Sequence, residues 1–216
     1  MNSTNLSITL TWAQTLNGLI APSDKSRLAL SGTHSSRLTH QLRAEHDGIL
    51  VGIGTVLADN PRLTCRLPLP PRQPVRIILD SQLRLPLEAA LFHDIQQSPL
   101  WVLCVQGSNS NHSLLEARGA RVVCLPSLHP KNVIEFLHQE GLKTLMVEGG
   151  QSVLSSFFNE GLFHRLVITL CPKFLTMGIP CISLKKETTS SDLMDLSQGK
   201  WEQLGSDMVF DWRRSG

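Results

Sequence analysis

An α/β fold, with a predominantly parallel central sheet flanked by helices and antiparallel strands at the carboxyl end, is predicted by three features of this sequence. Short apolar β-branched runs recur along it, as in Ile49–Val51 and Val75–Leu79, the mark of strands buried on both faces. Segments with helical patterning fall between these runs. Polar residues gather directly after several of the strands, where open α/β sheets bind ligands.

Taken in order, Leu6–Trp12 alternates apolar and hydroxyl residues, the period-2 pattern of a strand with one buried face. Asn17-Gly18 then marks a turn, and Pro22–Arg27 a polar loop. A helix through Leu38, Gln41, Leu42 and Glu45 follows, with Ser31 or Thr33 as its cap. The strand Ile49–Val51 closes on Gly52, and Gly52 and Gly54 permit a tight turn or close approach to a ligand. Gly-x-Gly after a strand suggests a dinucleotide fingerprint, but the third glycine is replaced by Leu57 and that reading fails. Five prolines from Pro61 to Pro74 predict an irregular loop.

Val75–Leu79 reads as a strand ending at Asp80-Ser81, and Trp101–Val105 and Arg121–Leu125 as strands around a short helix, Leu114–Arg118. Asn132–Gln139 is a predicted helix and Thr144–Val147 a strand running into Glu148-Gly149-Gly150. Val153–Phe158 opens a helix from that glycine pair, and its first-turn amides, with Ser152 alongside, suit an anion. Leu166–Leu170 and Met208–Trp212 close the chain as strands, with Thr188–Gly199 a polar insertion between them.

The 216 residues, 41% hydrophobic and 18% charged, read as one globular domain. A net charge of +2 points to neither nucleic acid nor an anionic membrane as partner. Five cysteines without a Cys-x-x-Cys pair predict a reducing compartment rather than a disulfide framework. The first ten residues lack the basic and apolar regions of a signal peptide, and no run of 18 apolar residues occurs, so a cytoplasmic location is expected. His34, His40 and His46 recur at a spacing that matches neither a helix face nor zinc ligands, and no metal is expected.

Four polar stretches, Thr15–Gly18, Thr55–Arg62, Asp80-Ser81 and Glu148–Ser152, each follow a predicted strand. One crevice collecting all four, for a cofactor and a substrate, is the simplest arrangement.

The blocks Thr9–Ala21, Leu42–Thr64, Val75–Ser81 and Met146–Gly150 occur in the order and spacing of the riboflavin-pathway pyrimidine reductases, which this chain resembles over nearly its whole length. The same pattern forms the reductase half of bifunctional deaminase-reductases. The zinc-deaminase signature is absent from the sequence, which fits a stand-alone reductase.

The resemblance implies a dihydrofolate-reductase-like fold, a homodimer and the cofactor NADPH. It also implies reduction of a ribosylaminopyrimidine 5′-phosphate to the ribitylamino product, with hydride delivered to C1′ of the opened sugar imine. The 2,5-diamino pyrimidine is expected ahead of its deaminated counterpart. By motif position, Ala13, Thr55, Asp59, Ser81, Gly149, Gly150, Gln151 and Ser152 would face NADPH. Arg43, Leu63, Arg66 and Glu148 would face the substrate, Glu148 being the catalytic carboxylate.

These residue types suit those tasks: Arg43 and Arg66 offer guanidinium forks for a phosphate, and Glu148 offers negative charge to a developing cation. Arg43 equally reads as a solvated helix residue, Arg66 as a loop charge and Asp59 as a turn cap. The chain departs from the family pattern at Asn17 and Asn60, where aspartate is usual, at Thr176-Met177, where Gly-Gly is usual, and at Thr11, a frequent lysine. Two alternatives therefore stay open: a pterin reductase of the same fold, and a member that binds NADPH or a protein partner without catalysis.

Overall fold

The computed structural model describes residues 6–24, 26, 28–68, 72–105, 111–184 and 193–214. Of the segments read above, Met1–Asn5, Lys25, Arg27, residues 69–71 and Thr188–Asp192 lie outside them. The elements are β1 (Ser7–Thr15), β2 (Leu19–Pro22), α1 (Thr33–Glu45), β3 (Gly48–Gly52), α2 (Ile53–Asp59), β4 (Val75–Leu79), β5 (Leu100–Val105) and α3 (Asn111–Ala117). They continue with β6 (Arg121–Leu125), α4 (Pro130–Gln139), β7 (Thr144–Gly149), α5 (Gln151–Asn159), β8 (Arg165–Cys171), β9 (Gly178–Pro180), β10 (Lys200–Leu204) and β11 (Asp207–Arg213).

The main sheet runs β10-β11-β8-β1-β7-β3-β4-β5-β6, and β2 pairs with β9 in a separate ribbon. From β8 to β6 every neighbour is parallel, whereas β11 is antiparallel to β8 and β10 to β11. This is the predicted sheet.

Alternation along the strands divides the core. On β7, Leu145 and Val147 pack toward α4 and α5, with Val133, Leu137, Leu154 and Phe157. Met146 faces the other way, onto Leu42 of α1. On β3 and β4, Val51 and Ile78 meet Leu83, Leu91 and Phe92 from the segment after β4.

Three local expectations change. Beyond the exposed Ser7, the hydroxyls of Thr9 and Thr11 do not face water, because β1 lies between β7 and β8 and is buried on both faces there; Thr9 is 3% exposed, with its Oγ1 2.8 Å from Nε2 of His46. Neither Ser31 nor Thr33 caps α1. Gly32 occupies that position, and Asp207 does the work by accepting from the Gly32 amide (2.7 Å) and from Ser35 Oγ (2.7 Å). The Gly52–Gly54 stretch is no loose turn either: α2 begins at Ile53, and a Cβ on Gly52 would lie 2.9 Å from Val153 Cγ2, so that glycine lets α5 come close to β3.

Candidate active site

The path through the sheet creates a crevice. From β1 the chain passes through α1 to β3, on one side of β7, and from β7 it passes through α5 to β8, on the other side of β1. The order thus reverses around β1 and β7, and a crevice opens at the carboxyl ends of such strands. Two cavities occupy it, of about 360 Å³ and about 640 Å³. Trp12, Ala13, Ile20, Leu28, Asp59 and Glu148 line both, so the two chambers meet over these residues.

Glu148 reaches this junction at the end of β7, where the register against β3 skips it, from Leu50 opposite Val147 to Val51 opposite Gly149. Met146 points toward α1, and Glu148, two residues further on, does the same. There it meets Arg43, one position beyond Leu42, in a bidentate fork: Nε donates to Oε1 and Nη2 to Oε2, each at 2.6 Å. Arg43 Nη1 also donates to the Thr64 carbonyl at 3.0 Å. Burial pushes the Arg43 guanidinium down, but the charge and the hydrogen bonds of Glu148 together outweigh it and leave the pKa above the ordinary arginine value. A carboxylate has about four lone-pair sites, so this fork still leaves acceptor capacity on Glu148.

Arg43 lines the larger cavity as expected of a substrate-facing residue, with three of its N–H donors engaged by Glu148 and Thr64 and one each on Nη1 and Nη2 left over. Arg62 is likewise held in a bidentate pair by Asp94, with Nε to Oδ2 at 2.6 Å. Arg66 is the cation left over, since its guanidinium has no hydrogen bond among the described residues. Partial burial, then repulsion from Arg43 and Arg62, holds its pKa below the arginine norm, and an incoming anion would relieve that repulsion.

The loop that carries Arg66 is fixed from below. Leu63, lining the larger cavity, has φ +54°, an uncommon value outside glycine. The carbonyls on either side of it accept from arginines, Thr64 from Arg43 and Arg62 from Nη1 of Arg76 at 3.2 Å. Arg76 is fully buried and also donates to the carbonyls of Leu91 and Ser98; burial pushes its pKa down to about 10. The Arg66 amide donates to Nδ1 of His40, a ring that burial, then Arg43 and Arg66, keeps down at about 4 and so neutral.

Thr55, Asp59 and Gly149, Gly150, Gln151 and Ser152 come together in the smaller cavity with Ala13. Thr55 and Asp59 stand on a helix, α2, rather than on the turn that Gly52 and Gly54 suggest. Gly150 has φ +77°, and a Cβ there would sit 3.1 Å from Thr55 Oγ1; a Cβ on Gly54 would meet nothing within 4 Å. The start of α5 adds first-turn amides that have no helical acceptor. This surface is short of side chains and rich in donors, as a dinucleotide's phosphates require.

Two of the four expected polar stretches stay outside. Thr15 is fully buried, with its Oγ1 donating to Asn17 Oδ1 at 2.8 Å. Asp80 is fully buried beneath the turn after β4, accepting from the Leu85 amide at 2.9 Å while burial pushes its pKa up, and Ser81 is exposed there and lines neither cavity. In the sheet β4 stands beyond β3, one strand too far from the reversal point. Lining residues not anticipated are Trp12, Ile20, Leu28, Thr39, Thr169 and Ile179.

Asn60 has a structural task. It takes a left-handed conformation at the end of α2 (φ +43°), and its Oδ1 accepts from the Ala90 amide at 2.8 Å.

The model of the family described as "RibD C-terminal domain" matches residues 7–210. A riboflavin biosynthesis protein RibD from Aquifex aeolicus is 36% identical over 207 residues, 96% of this chain and 57% of that protein. The chain thus spans little more than half the length of that relative. A 2,5-diamino-6-ribosylamino-4(3H)-pyrimidinone 5′-phosphate reductase from Archaeoglobus fulgidus is 33% identical over 172 residues, 76% of this chain and 78% of that one. Among solved structures, Acinetobacter baumannii RibD superimposes with TM-score 0.83 at 20% identity, over 100% of this chain and 60% of that one. Dihydrofolate reductase from Enterococcus faecalis superimposes with TM-score 0.52 at 10% identity, over 97% of each chain, which makes the fold dihydrofolate-reductase-like.

Proposed function

Because the chain belongs to the RibD C-terminal domain family, we propose that it reduces a ribosylaminopyrimidine 5′-phosphate to the ribitylamino product in riboflavin biosynthesis, with NADPH as reductant. The observation that carries this reading is the pair of chambers that meet over Glu148 and Asp59. One chamber has the glycine-lined, amide-rich surface of a dinucleotide site, and the other has an uncompensated arginine for a phosphate. The name of the Archaeoglobus relative favours the 2,5-diamino substrate over the deaminated one.

NADPH supplies the hydride, which the opened sugar accepts at C1′. Every other task falls to the chain. Gly149–Ser152, Thr55 and Asp59 would hold the cofactor against Ala13 and Trp12. Arg66 draws in the substrate phosphate, and the Leu63 backbone lies beside it. Glu148, locked in one orientation by Arg43, accepts hydrogen bonds from sugar hydroxyl or amino groups and faces the carbon that is cationic before reduction. Positioned charge of this kind lowers the barrier because it needs no reorganisation as the reaction proceeds. The family resemblance extends the proposal to a homodimer, which the mass in solution by light scattering checks.

The test is NADPH oxidation followed at its near-ultraviolet band, with the diamino substrate, the deaminated substrate and dihydrofolate offered in turn. Turnover is expected with the ribosylaminopyrimidines, fastest with the diamino form, and none with dihydrofolate. Calorimetry should show NADPH bound more tightly than NADH; equal dissociation constants count against the cofactor assignment.

A further inference from the structure

The loop between β8 and β9, residues 172–177, lines neither cavity, yet it ties together segments that line both. On one side Lys173 Nζ donates to the carbonyls of Ala29 (2.8 Å) and Leu30 (2.6 Å), two residues of the larger cavity's wall. On the other side stands Asn17, in the turn between β1 and β2. Its Nδ2 donates to the Leu175 carbonyl at 2.6 Å, and its Oδ1 accepts from the Leu175 amide at 3.3 Å and from Thr15 Oγ1 at 2.8 Å. The Asn17 side chain therefore pairs with Leu175 as a strand residue would, with one donor and one acceptor. The Leu16 amide adds a bond to the Lys173 carbonyl at 2.9 Å.

What hangs from these contacts is the β2–β9 ribbon. It is not part of the main sheet, and its Ile20, Ala21 and Ile179 form a wall of the smaller cavity. The ribbon is closely fitted, since a Cβ on Gly178 would come 2.3 Å from the Ala21 carbonyl oxygen. Such a wall moves as a unit or not at all.

We infer that Asn17 and Lys173 are positioning residues that set the width of the cleft through the 172–177 loop without touching either ligand. The inference rests on the proposed reading of the two chambers as cofactor and substrate sites. Its chemistry is specific. Aspartate at 17 keeps the acceptor but loses the donor, and sets a negative charge against the Leu175 carbonyl. Methionine at 173 keeps the length of lysine but donates nothing to Ala29 or Leu30.

The test uses Asn17→Asp and Lys173→Met. Backbone hydrogen exchange of the free protein should quicken at Leu19–Ala21 and Gly178–Ile179 in the first variant, and at Ala29–Ser31 in the second. Fluorescence titration should give NADPH dissociation constants raised by roughly three- to tenfold for Asn17→Asp, because the loosened ribbon must be ordered again when the cofactor binds, with kcat within about twofold of wild type. The Asn17→Asp defect should shrink, relative to wild type at the same pH, as pH falls toward 4. There the introduced carboxyl takes a proton and again donates to Leu175, a rescue that Lys173→Met does not share. Unchanged exchange in both variants overturns the inference, and so does quickened exchange with unaltered NADPH affinity and KM. Wild-type protein that takes up no NADPH overturns the functional reading instead, and the exchange arm then decides whether the loop positions these walls.

Discussion

Glu148→Gln separates the carboxylate's place in the fold, as the partner of Arg43, from the role in the reaction proposed for it. Both side chains of the pair are nearly buried, at 11% exposed for Arg43 and 12% for Glu148. Glutamine retains one acceptor but turns an amide donor toward Arg43, leaving a desolvated guanidinium without its counter-charge. Breaking a buried pair from one side costs about 3–5 kcal/mol, and water reaching the junction through the cavities puts this case near the lower end, about 3 kcal/mol. For a chain of this size that is a melting temperature lowered by roughly 6–12 °C. On the proposed mechanism the reaction suffers separately, because the negative charge set against C1′ would be gone in the transition state. Positioned charge is typically worth about 3 kcal/mol, on the order of a hundredfold in turnover. NADPH affinity should stay within a few-fold, since the dinucleotide surface is built from α2 and the start of α5. The assays are thermal unfolding, NADPH titration and single-turnover oxidation with the diamino substrate. Near wild-type turnover refutes a catalytic Glu148. A fall in turnover matched by an equal fall in NADPH affinity refutes the division between the chambers. Arg43→Lys, which keeps the charge but not the fork, should also slow turnover; full activity there would show that the fork is not what orients Glu148.

Asp59→Ala should weaken NADPH binding by roughly 1–3 kcal/mol, the range for a hydrogen bond to a charged group; unchanged affinity with a lowered melting temperature would make Asp59 a helix-end residue only. Gly150→Ala forces a side chain into a left-handed conformation and against Thr55 Oγ1, so about 1–2 kcal/mol of stability should be lost, with weaker NADPH binding; a variant that melts and binds like wild type rules out the close approach. His40 is held at about 4 by burial and by Arg43 and Arg66, whereas the unfolded ring titrates near its ordinary 6.5. Between those values the unfolded chain binds the proton and the folded one does not, so this stability is complete above pH 6.5 and lost as pH falls toward 4. Denaturant titrations should show a loss of roughly 2 kcal/mol from this group, discounted for the solvent around Arg66, on top of smaller losses from His46 and His164, which burial also holds down. A His40→Asn variant with an undiminished slope over that window would refute the assignment.

The strands were the most legible part of the fold. β4 and β6 run as read, Val75–Leu79 and Arg121–Leu125, because an apolar run between polar residues has few other ways to be buried. The ribbon strands β2 and β9 were not legible, since four and three residues ending in proline hold no period to read. β10 escaped for the opposite reason: it is largely exposed along its length, so its pairing with β11 owes nothing to an apolar pattern. α2 was hidden by Gly52 and Gly54, residues that ordinarily argue against a helix and here serve the packing of α5 and the open floor of the cavity.

For the site, the rule that polar residues after a strand line one crevice holds for β3 and β7 and does not hold for β1 and β4. The rule is local, whereas the distance of a strand from the reversal point is set by strand order, which follows from how every helix packs. Ser81 follows the local pattern but lines neither of the two cavities. The Arg43–Glu148 fork shows the same limit from the other side. Its partners are 105 residues apart, and neither segment betrays the other. Once β7 is known to lie beside β1 with α1 across its Met146 face, Glu148 at the end of β7 falls on the side of α1, and the turn of α1 that packs Leu42 on Met146 brings Arg43 to meet it. The pair then follows from topology, and it ties Arg43, one of the two arginines suited to a phosphate, to the carboxylate, while the Arg66 guanidinium has no hydrogen bond among the described residues.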